Sequence, residues 1–298
     1  MVQDTIKTNG WKAWGLAVRP KTLSGAVAPV IVALSVAWSD GATSFNWLAA
    51  VLCLAFAVLM QTDANLVNDY VDYIGGRDIS ETRLGPPRAC SEGWITPRAM
   101  QWGIVLMTLL ACAVGLPLVL WGGWWMIAIG VGCVVFCFLY STLLASLGLG
   151  DVLVLLFFGL VPVCATYFLQ TGTITLQVLL LSLGMGLATD CLLMVNNYRD
   201  RDQDLAAGKR TIVVHMGARA AEWTYLLLGI MAVLLPLLSL RIAFRPPLLL
   251  PLLYLIPHSR TWRKMVRLNH GRALNAVLGQ TAMCILLYAL LESLSALL

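Results

Sequence analysis

Two stretches of the chain place carboxylates and amides directly after long apolar runs. In the first stretch, Asn65, Asp69 and Asp72 are spaced four and then three residues apart, so they share one face of a helix. Such groups at the end of a membrane helix are costly unless a cation meets them. The spacing predicts a polar site here, and a solvated helix end is the alternative.

The second stretch follows the same pattern after another apolar run. Asn197, Asp200 and Asp204 are spaced three and then four residues apart, so they also share a helical face. Two acidic stripes that face one cavity could hold two divalent cations. Mg²⁺ prefers oxygen ligands and is usually shared between a few carboxylates and substrate phosphates. Mg²⁺ is therefore the predicted metal.

Basic residues come after each acidic stripe. Arg77, Arg83 and Arg88 follow the first stripe, and Lys209 and Arg210 follow the second. A diphosphate is bound well by metal on one side and by guanidinium or ammonium groups on the other. The two stripes together therefore favour a metal–diphosphate site over two solvated helix ends.

These motifs also carry a family resemblance. NDYVDYIGGRD (68–78) and NNYRDRDQD (196–204) resemble the two aspartate-rich motifs of the intramembrane polyprenyltransferases, the UbiA superfamily. Within this superfamily, the two motif sequences are most similar to those of the branch that prenylates 1,4-dihydroxy-2-naphthoate on the way to menaquinone. That branch has a longer gap before the last Asp of its first motif, matched by Asp72 to Asp78. Further matches are the Arg-x-Gly-Pro-x-Arg segment at 83–88, GKRT at 208–211, RPKTL at 19–23 and LGLGD at 147–151.

The resemblance implies an enzyme that uses Mg²⁺ and two substrates, a polyprenyl diphosphate and 1,4-dihydroxy-2-naphthoate. Diphosphate and CO₂ are lost, and the aromatic ring attacks an allylic cation to give demethylmenaquinol. Aromatic faces near the cation could stabilise it. Tyr140 matches a Tyr-Ser/Thr pair of the family and is the first candidate, with an interfacial tyrosine as the alternative. Tyr70 and Tyr198, inside the two motifs, are weaker candidates.

The site residues follow from the motifs and the resemblance together. The predicted metal ligands are the motif carboxylates Asp69, Asp72, Asp78, Asp200 and Asp204. The predicted catalytic residues are Asp69, Asp72, Asp200, Asp204 and Tyr140. The predicted substrate-binding residues are the flanking amides and cations Asn65, Asn68, Asn197, Lys21, Arg83, Arg88, Lys209 and Arg210.

The sequence departs from the family pattern at two buried acids and one loop. Asp190 lies seven residues before Asn197 and so shares the acidic face at a deeper level, which suggests a role in the acceptor pocket. Asp63 points away from Asp72, towards a neighbouring helix. The loop at 141–148 lacks the basic, proline-containing segment that the family usually has there.

Composition fixes the class of protein. Of 298 residues, 59% are hydrophobic and 12% are charged, against about 25% charged in soluble domains. We expect an all-α, polytopic membrane helical bundle with about nine transmembrane helices. Residues 1–298 then form one integral-membrane domain made of two pseudo-repeated halves, with the motifs at 65–78 and 196–204. The predicted spans are 22–39, 46–68, 98–121, 124–142, 150–169, 174–197, 219–240, 244–258 and 273–297.

The distribution of basic residues predicts the orientation. If the N-terminus is cytoplasmic, every Lys and Arg except Arg241 and Arg245 falls in a cytoplasmic segment. The mouth of the site then opens to the cytoplasm, and the C-terminus lies outside. A bacterial cytoplasmic (inner) membrane is the expected location, with membrane lipid as a partner and no nucleic acid. The oligomeric state stays open.

Two alternatives remain at this point. Another aromatic acceptor, such as 4-hydroxybenzoate, would keep the chemistry and change the substrate. A cation-coupled membrane transporter would also have acids within its spans and internal repeats. Coupling acids lie near the middle of the membrane, whereas these stripes lie at one mouth beside basic residues, which favours the enzyme.

Overall fold

The protein is helical throughout the residues that the computed structural model describes, which are 6–41, 45–76, 83–144, 147–241 and 246–298. The predicted all-α class is confirmed. The α-helices are α1 (Trp11–Val18), α2 (Leu23–Ser39), α3 (Trp47–Ile74), α4 (Pro97–Gly115), α5 (Val119–Gly122), α6 (Trp125–Leu139), α7 (Gly150–Leu155), α8 (Val161–Thr171), α9 (Leu176–Ala206), α10 (Ile212–Met216), α11 (Ala218–Leu237), α12 (Leu255–Leu268) and α13 (Leu274–Leu297).

Six helical stretches of the described chain are long and apolar enough to cross a membrane, and they match six of the predicted spans. They are α3, α4 continued through α5, α7 continued through α8, α9, α11 and α13. The pair α1 and α2, bent by 59° at its break, makes a seventh stretch if it counts as one span. The protein is therefore an integral membrane protein. The expected number of nine is not confirmed, because α6 has only 15 residues.

The predicted span at 244–258 has a different form. Pro246–Tyr254 is a 3₁₀ helix, and α12 then carries charged residues along one face. Proline lacks the N–H that an α-helix needs and clashes with the preceding turn. Pro246, Pro247 and Pro251 within nine residues therefore explain why no continuous α-helix forms here.

The two helices that carry the motifs are the longest in the described chain. α3 has 28 residues and α9 has 31, and each ends in its acidic stripe. α9 packs against α7, α8, α11 and α13, with Met185, Ile285 and Tyr288 fully buried in the core between them. α3 packs against α1, α2 and α4. This packing holds both stripes at the ends of rigid elements.

Helices α7 and α9 approach each other closely through glycine. The chain between α7 and α8, Leu156–Leu160, is a π-helical turn. A methyl group on Gly159 in this turn would lie 2.5 Å from the Ser182 carbonyl oxygen, and one on Gly186 would lie 3.1 Å from Cα of Leu155. The two backbones are thus in direct contact, and the two helices run antiparallel.

Candidate functional site

The segment after the first motif folds back onto α3, and Asp69 holds it there. Both carboxylate oxygens of Asp69 accept backbone N–H groups, from Ala89 at 2.9 Å and from Cys90 at 3.0 Å. Arg19 approaches the same carboxylate, with Nη2 at 3.9 Å from Oδ2, and Asp69 is only 1% exposed. In this structure Asp69 therefore anchors the returning segment, whereas the sequence pattern suggested a metal ligand.

Asp72, one turn further along α3, is the more accessible carboxylate. Its Oδ2 lies 2.5 Å from Nη2 of Arg88, and the Asp72 side chain is 15% exposed. Arg83 donates through Nε to the Pro86 carbonyl at 2.7 Å, which fixes the turn between the two arginines. The Arg-x-Gly-Pro-x-Arg segment thus places both of its guanidinium groups beside the first stripe.

The second motif is organised by Arg199, which the sequence reasoning did not select. Arg199 is 3% exposed and donates to both oxygens of Asp200, at 2.8 and 2.6 Å. Its Nη1 also donates to the side-chain oxygen of Asn275 on α13 at 2.8 Å, and Asn275 donates to the Leu84 carbonyl at 2.8 Å. Arg199 thereby links the second motif, α13 and the segment that follows the first motif.

The two motifs meet around Gly85. A methyl group there would lie 2.9 Å from Nη2 of Arg199 and 3.3 Å from Nη2 of Arg83, so both guanidinium groups pack directly against this glycine. Burial lowers the pKa of Arg83, and the carboxylates of Asp72 and Asp200 oppose that change. The guanidinium group of Arg83 thus lies within electrostatic range of both acidic stripes. This is the arrangement expected if the two stripes share one site.

The remaining residues of the second motif lie around the end of α9. Lys209 approaches Asp204 with Nζ at 3.3 Å from Oδ1, and these side chains are 30% and 10% exposed. Arg210 is exposed, and its carbonyl oxygen packs against Gly148, where a methyl group would lie only 2.5 Å away. The positive φ of +78° at Gly148 also favours glycine.

Tyr140 lies beside a small cavity between the start of α7 and the second motif. The cavity has a volume of about 20 Å³, and residues that line it include Tyr140, Gly150, Asp151, Leu193, Asn197 and Thr211. Tyr140 lies within electrostatic range of Asp72 as well as Asp151. The structure thus brings Tyr140 and Asn197 together and places both near the first stripe.

The other two aromatic candidates are engaged elsewhere. The hydroxyl of Tyr70 accepts from Gln101 on α4, at 2.5 Å. The hydroxyl of Tyr198 donates to Glu222 at 2.6 Å, and Tyr198 is completely buried. These contacts hold both rings against neighbouring helices, so Tyr140 is the one of the three that lines the cavity.

Several predicted residues have other positions or fall outside what can be described. Asn65 donates to the Val18 carbonyl at 2.8 Å and to Oγ1 of Thr22 at 2.9 Å, and it is 4% exposed. In this structure it therefore supports the break between α1 and α2. Asn68 is half-buried on α3. Asp78 lies outside the described residues, and of Lys21 only the backbone is described.

The two acids within the spans differ from each other, as their positions predicted. Asp63 is fully buried and accepts a hydrogen bond from Thr108 on α4 at 2.7 Å, so it faces a neighbouring helix. Asp190 is 3% exposed, and its Oδ1 has no hydrogen-bond partner. Asp63 thus has one oxygen bonded to its neighbour, while its Oδ1 lacks a hydrogen-bond partner, as does Oδ1 of Asp190.

The site includes two arginines that the motif assignment did not select, and only one of them had a visible sequence signal. Arg199 immediately precedes Asp200 in the motif, and a charged side chain so close to an apolar run was a visible signal. Arg19 adopts a left-handed backbone conformation, with φ +52° between α1 and α2. This conformation costs about 1–2 kcal/mol for a residue with a side chain. Nothing in the sequence pattern predicted it.

The carboxylates of the two motifs could hold Mg²⁺ only together with waters or substrate oxygens. In the described part of the chain, no group of three or more His, Cys, Asp or Glu side chains converges to form a metal site. Mg²⁺ is, however, usually bound by one or two carboxylates together with waters and substrate phosphates. Asp72 and Asp200 are oxygen ligands, 15% and 28% exposed, and both lie within electrostatic range of Arg83. These two carboxylates fit such a site, whereas both oxygens of Asp69 accept backbone N–H groups in this structure.

Comparison with known proteins identifies the family. The model of the UbiA prenyltransferase family matches residues 26–279. The chain belongs to this family. A UbiA family member is a prenyltransferase, so the transporter alternative is set aside.

Individual relatives agree with this placement. The chain is 36% identical to 1,4-dihydroxy-2-naphthoate octaprenyltransferase of Haemophilus influenzae over 216 residues, covering 70% of each protein. It is 35% identical to the Escherichia coli protein of the same name, covering 69% of each. Its fold is similar to that of a UbiA homolog from Archaeoglobus fulgidus bound to GPP and Mg²⁺, with a TM-score of 0.68 at 13% identity, covering 96% of this chain and 99% of that one.

Proposed function

We propose that the protein transfers a polyprenyl chain from an allylic polyprenyl diphosphate to 1,4-dihydroxy-2-naphthoate, with loss of diphosphate and CO₂, to give demethylmenaquinol. The observation that carries this proposal is the meeting of the two acidic motifs at Gly85. There, Arg83 lies within electrostatic range of Asp72 and Asp200. The acceptor is supported by the names of the relatives from Haemophilus influenzae and Escherichia coli.

Three cations would bind the diphosphate where the two motifs meet. Arg83 and Arg88 lie on the segment after the first stripe, and Lys209 lies after the second. Guanidinium groups suit diphosphate because they donate two parallel hydrogen bonds. In this arrangement Arg88 exchanges its contact with Asp72 for one with a diphosphate oxygen.

Asp72 and Asp200, assisted by Asp204, would hold Mg²⁺ at the same place. When bound, Mg²⁺ supplies positive charge that stabilises the departing diphosphate. Arg199 keeps the Asp200 carboxylate in position through its two hydrogen bonds. Asp69 keeps Arg88 within reach by holding the backbone of Ala89 and Cys90.

The chain also protects and stabilises the allylic cation after the C–O bond breaks. The cavity beside Tyr140 lies between the start of α7 and the second motif, and packed helices around the reacting groups would keep water from the cation. The face of the Tyr140 ring could stabilise a cation that forms beside it. The electron-rich ring carbon of the naphthoate then attacks the cation, and CO₂ leaves from the same carbon. The hydrocarbon tail leaves sideways between helices into lipid.

The location and orientation belong to the same proposal. We place the protein in the bacterial cytoplasmic membrane, with the N-terminus and the mouth of the site facing the cytoplasm. The support is the concentration of Lys and Arg in the segments that this orientation makes cytoplasmic. The division into two pseudo-repeated halves stays a prediction.

The experiment uses purified protein in lipid with Mg²⁺, a polyprenyl diphosphate and two parallel acceptors. The acceptors are 1,4-dihydroxy-2-naphthoate and 4-hydroxybenzoate, and the product is identified by its mass. A prenylated naphthoquinol without the carboxylate, absent when EDTA is added, is the expected result. Prenylated hydroxybenzoate alone would contradict the acceptor, and no product from either acceptor would contradict the whole proposal.

A further inference from the structure

Two buried carboxyl groups face each other beneath the Tyr140 cavity, and the diphosphate site does not use them. The close contacts between α7 and α9 pair residue 159 with 182 and residue 155 with 186. The two helices run antiparallel, so the next pair lies one turn earlier on α7 and one turn later on α9. That pair is Asp151 and Asp190. The two side chains also lie within electrostatic range of each other.

Both carboxyl groups have an oxygen with no partner. Oδ1 of Asp151 and Oδ1 of Asp190 are buried and make no hydrogen bond, although the residues are only 8% and 3% exposed. A buried polar atom without a partner costs about 1–3 kcal/mol, so such atoms are rare unless a ligand or water meets them. Oδ1 of Asp63, the comparable acid on α3, also lacks a partner, but Oδ2 of Asp63 accepts a hydrogen bond from Thr108 on α4.

The cavity above the pair is suited to a single small polar group. Its volume of about 20 Å³ is enough for one water-sized group, which needs about 10–15 Å³. Asp151 lines this cavity directly. Asp190 lies on the same face of α9 as the lining residues Leu193 and Asn197, one and two turns deeper. A hydroxyl group that enters beside Tyr140 therefore points towards both acids.

We infer that Asp151 and Asp190 recognise the C4 hydroxyl group of the aromatic acceptor and so select a 1,4-dihydroxy-naphthoate. This inference rests on the proposed function. The C1 hydroxyl of that acceptor is next to its carboxylate and bonds to it internally, whereas the C4 hydroxyl is free to donate. A carboxyl group offers an accepting oxygen whether it is ionised or protonated, so the two unpartnered oxygens match a hydroxyl donor. Asp151 and Asp190 are specificity-determining residues in this account.

The test compares two ligands that differ by this hydroxyl. Binding of 1,4-dihydroxy-2-naphthoate and of 1-hydroxy-2-naphthoate is measured without prenyl diphosphate, for the wild type and for Asp190→Ala, Asp190→Asn and Asp151→Asn. A ligand without the hydroxyl leaves a buried acceptor unpaired, which is worth a preference of about 5- to 150-fold. We expect this preference in the wild type, its loss in Asp190→Ala, and a smaller reduction in the two Asn variants, which keep one accepting oxygen. The affinity for the monohydroxy ligand should be unchanged in all three variants.

Asp63→Asn is the matched control, because it also changes a buried acid in a span but lies against α4. It should keep the full preference for the dihydroxy ligand. An equal loss of affinity for both ligands in the Asp190 variants would assign the pair a structural role only, and an unchanged preference would remove it from the pocket. Either result overturns the inference. Wild-type turnover of 1,4-dihydroxy-2-naphthoate, measured separately, decides the proposed function.

Discussion

Asp69→Asn should release the segment that carries Arg88 while leaving α3 intact. The carboxylate accepts two backbone N–H groups, from Ala89 at 2.9 Å and from Cys90 at 3.0 Å. An amide keeps one accepting oxygen and presents an NH₂ group to the other N–H. A buried donor left without an acceptor costs about 1–3 kcal/mol, which increases local opening about 5- to 150-fold.

The thiol of Cys90 reports this opening directly. Cys90 is 4% exposed, and burial, assisted by the Asp69 carboxylate, raises its pKa to about 12. It should therefore react slowly with iodoacetamide in the wild type. Trypsin releases it in the peptide ACSEGWITPR (89–98), which contains no other cysteine. Mass spectrometry of that peptide over time gives the alkylation rate, and opening raises this rate in proportion.

Asp200→Asn is the control, because it removes a motif carboxylate that does not contact the 88–90 segment. We expect a rate increase of about 5- to 150-fold for Asp69→Asn and almost none for Asp200→Asn. If the Asp69→Asn rate stays within twofold of the wild type, the anchoring role is wrong. If both variants react equally fast, the protein has loosened generally and the assignment to Asp69 fails.

Two further changes test the geometry of the site. Gly148→Ala combines a left-handed conformation, which costs about 1–2 kcal/mol, with a methyl group 2.5 Å from the Arg210 carbonyl oxygen. Gly148→Ala should lower the melting temperature more than Gly172→Ala does. Gly172 is the control because it has a similar φ of +72° but open space around it. Equal shifts in melting temperature would contradict the close contact at Gly148. Arg199→Lys cannot bond both oxygens of Asp200 and Asn275 together. It should lower kcat/KM for the prenyl diphosphate about 10- to 100-fold at unchanged acceptor KM, and an unchanged kcat/KM would refute this role.

Helical periodicity predicted the stripes well, because side chains three and four residues apart must share a face. Asp72 on α3 and Asp200 on α9 accordingly both lie within electrostatic range of Arg83. Periodicity could not predict what each carboxylate bonds to. The partners of Asp69 lie 20 and 21 residues further along a returning segment, and no spacing rule reaches that far.

The less successful predictions have physical causes of the same kind. Asn65 was grouped with the first stripe because it shares a helical face with Asp69 and Asp72. Its side chain instead donates hydrogen bonds to Val18 and Thr22, at the break between α1 and α2. The span at 244–258 was read from hydropathy, which does not register that closely spaced prolines prevent an α-helix. Hydropathy finds apolar length well, whereas backbone hydrogen bonding decides which helix forms.

The central claim is that two motifs on separate helices bind one diphosphate. Binding of an unreactive thiolodiphosphate analogue of the prenyl substrate, with Mg²⁺, can be measured for the wild type, Asp72→Asn, Asp200→Asn and the double variant. If both carboxylates act on the same ligand, the two losses are not additive, with an interaction of about 0.5–3 kcal/mol. Strictly additive losses, or an effect of only one of the two changes, would contradict a shared site.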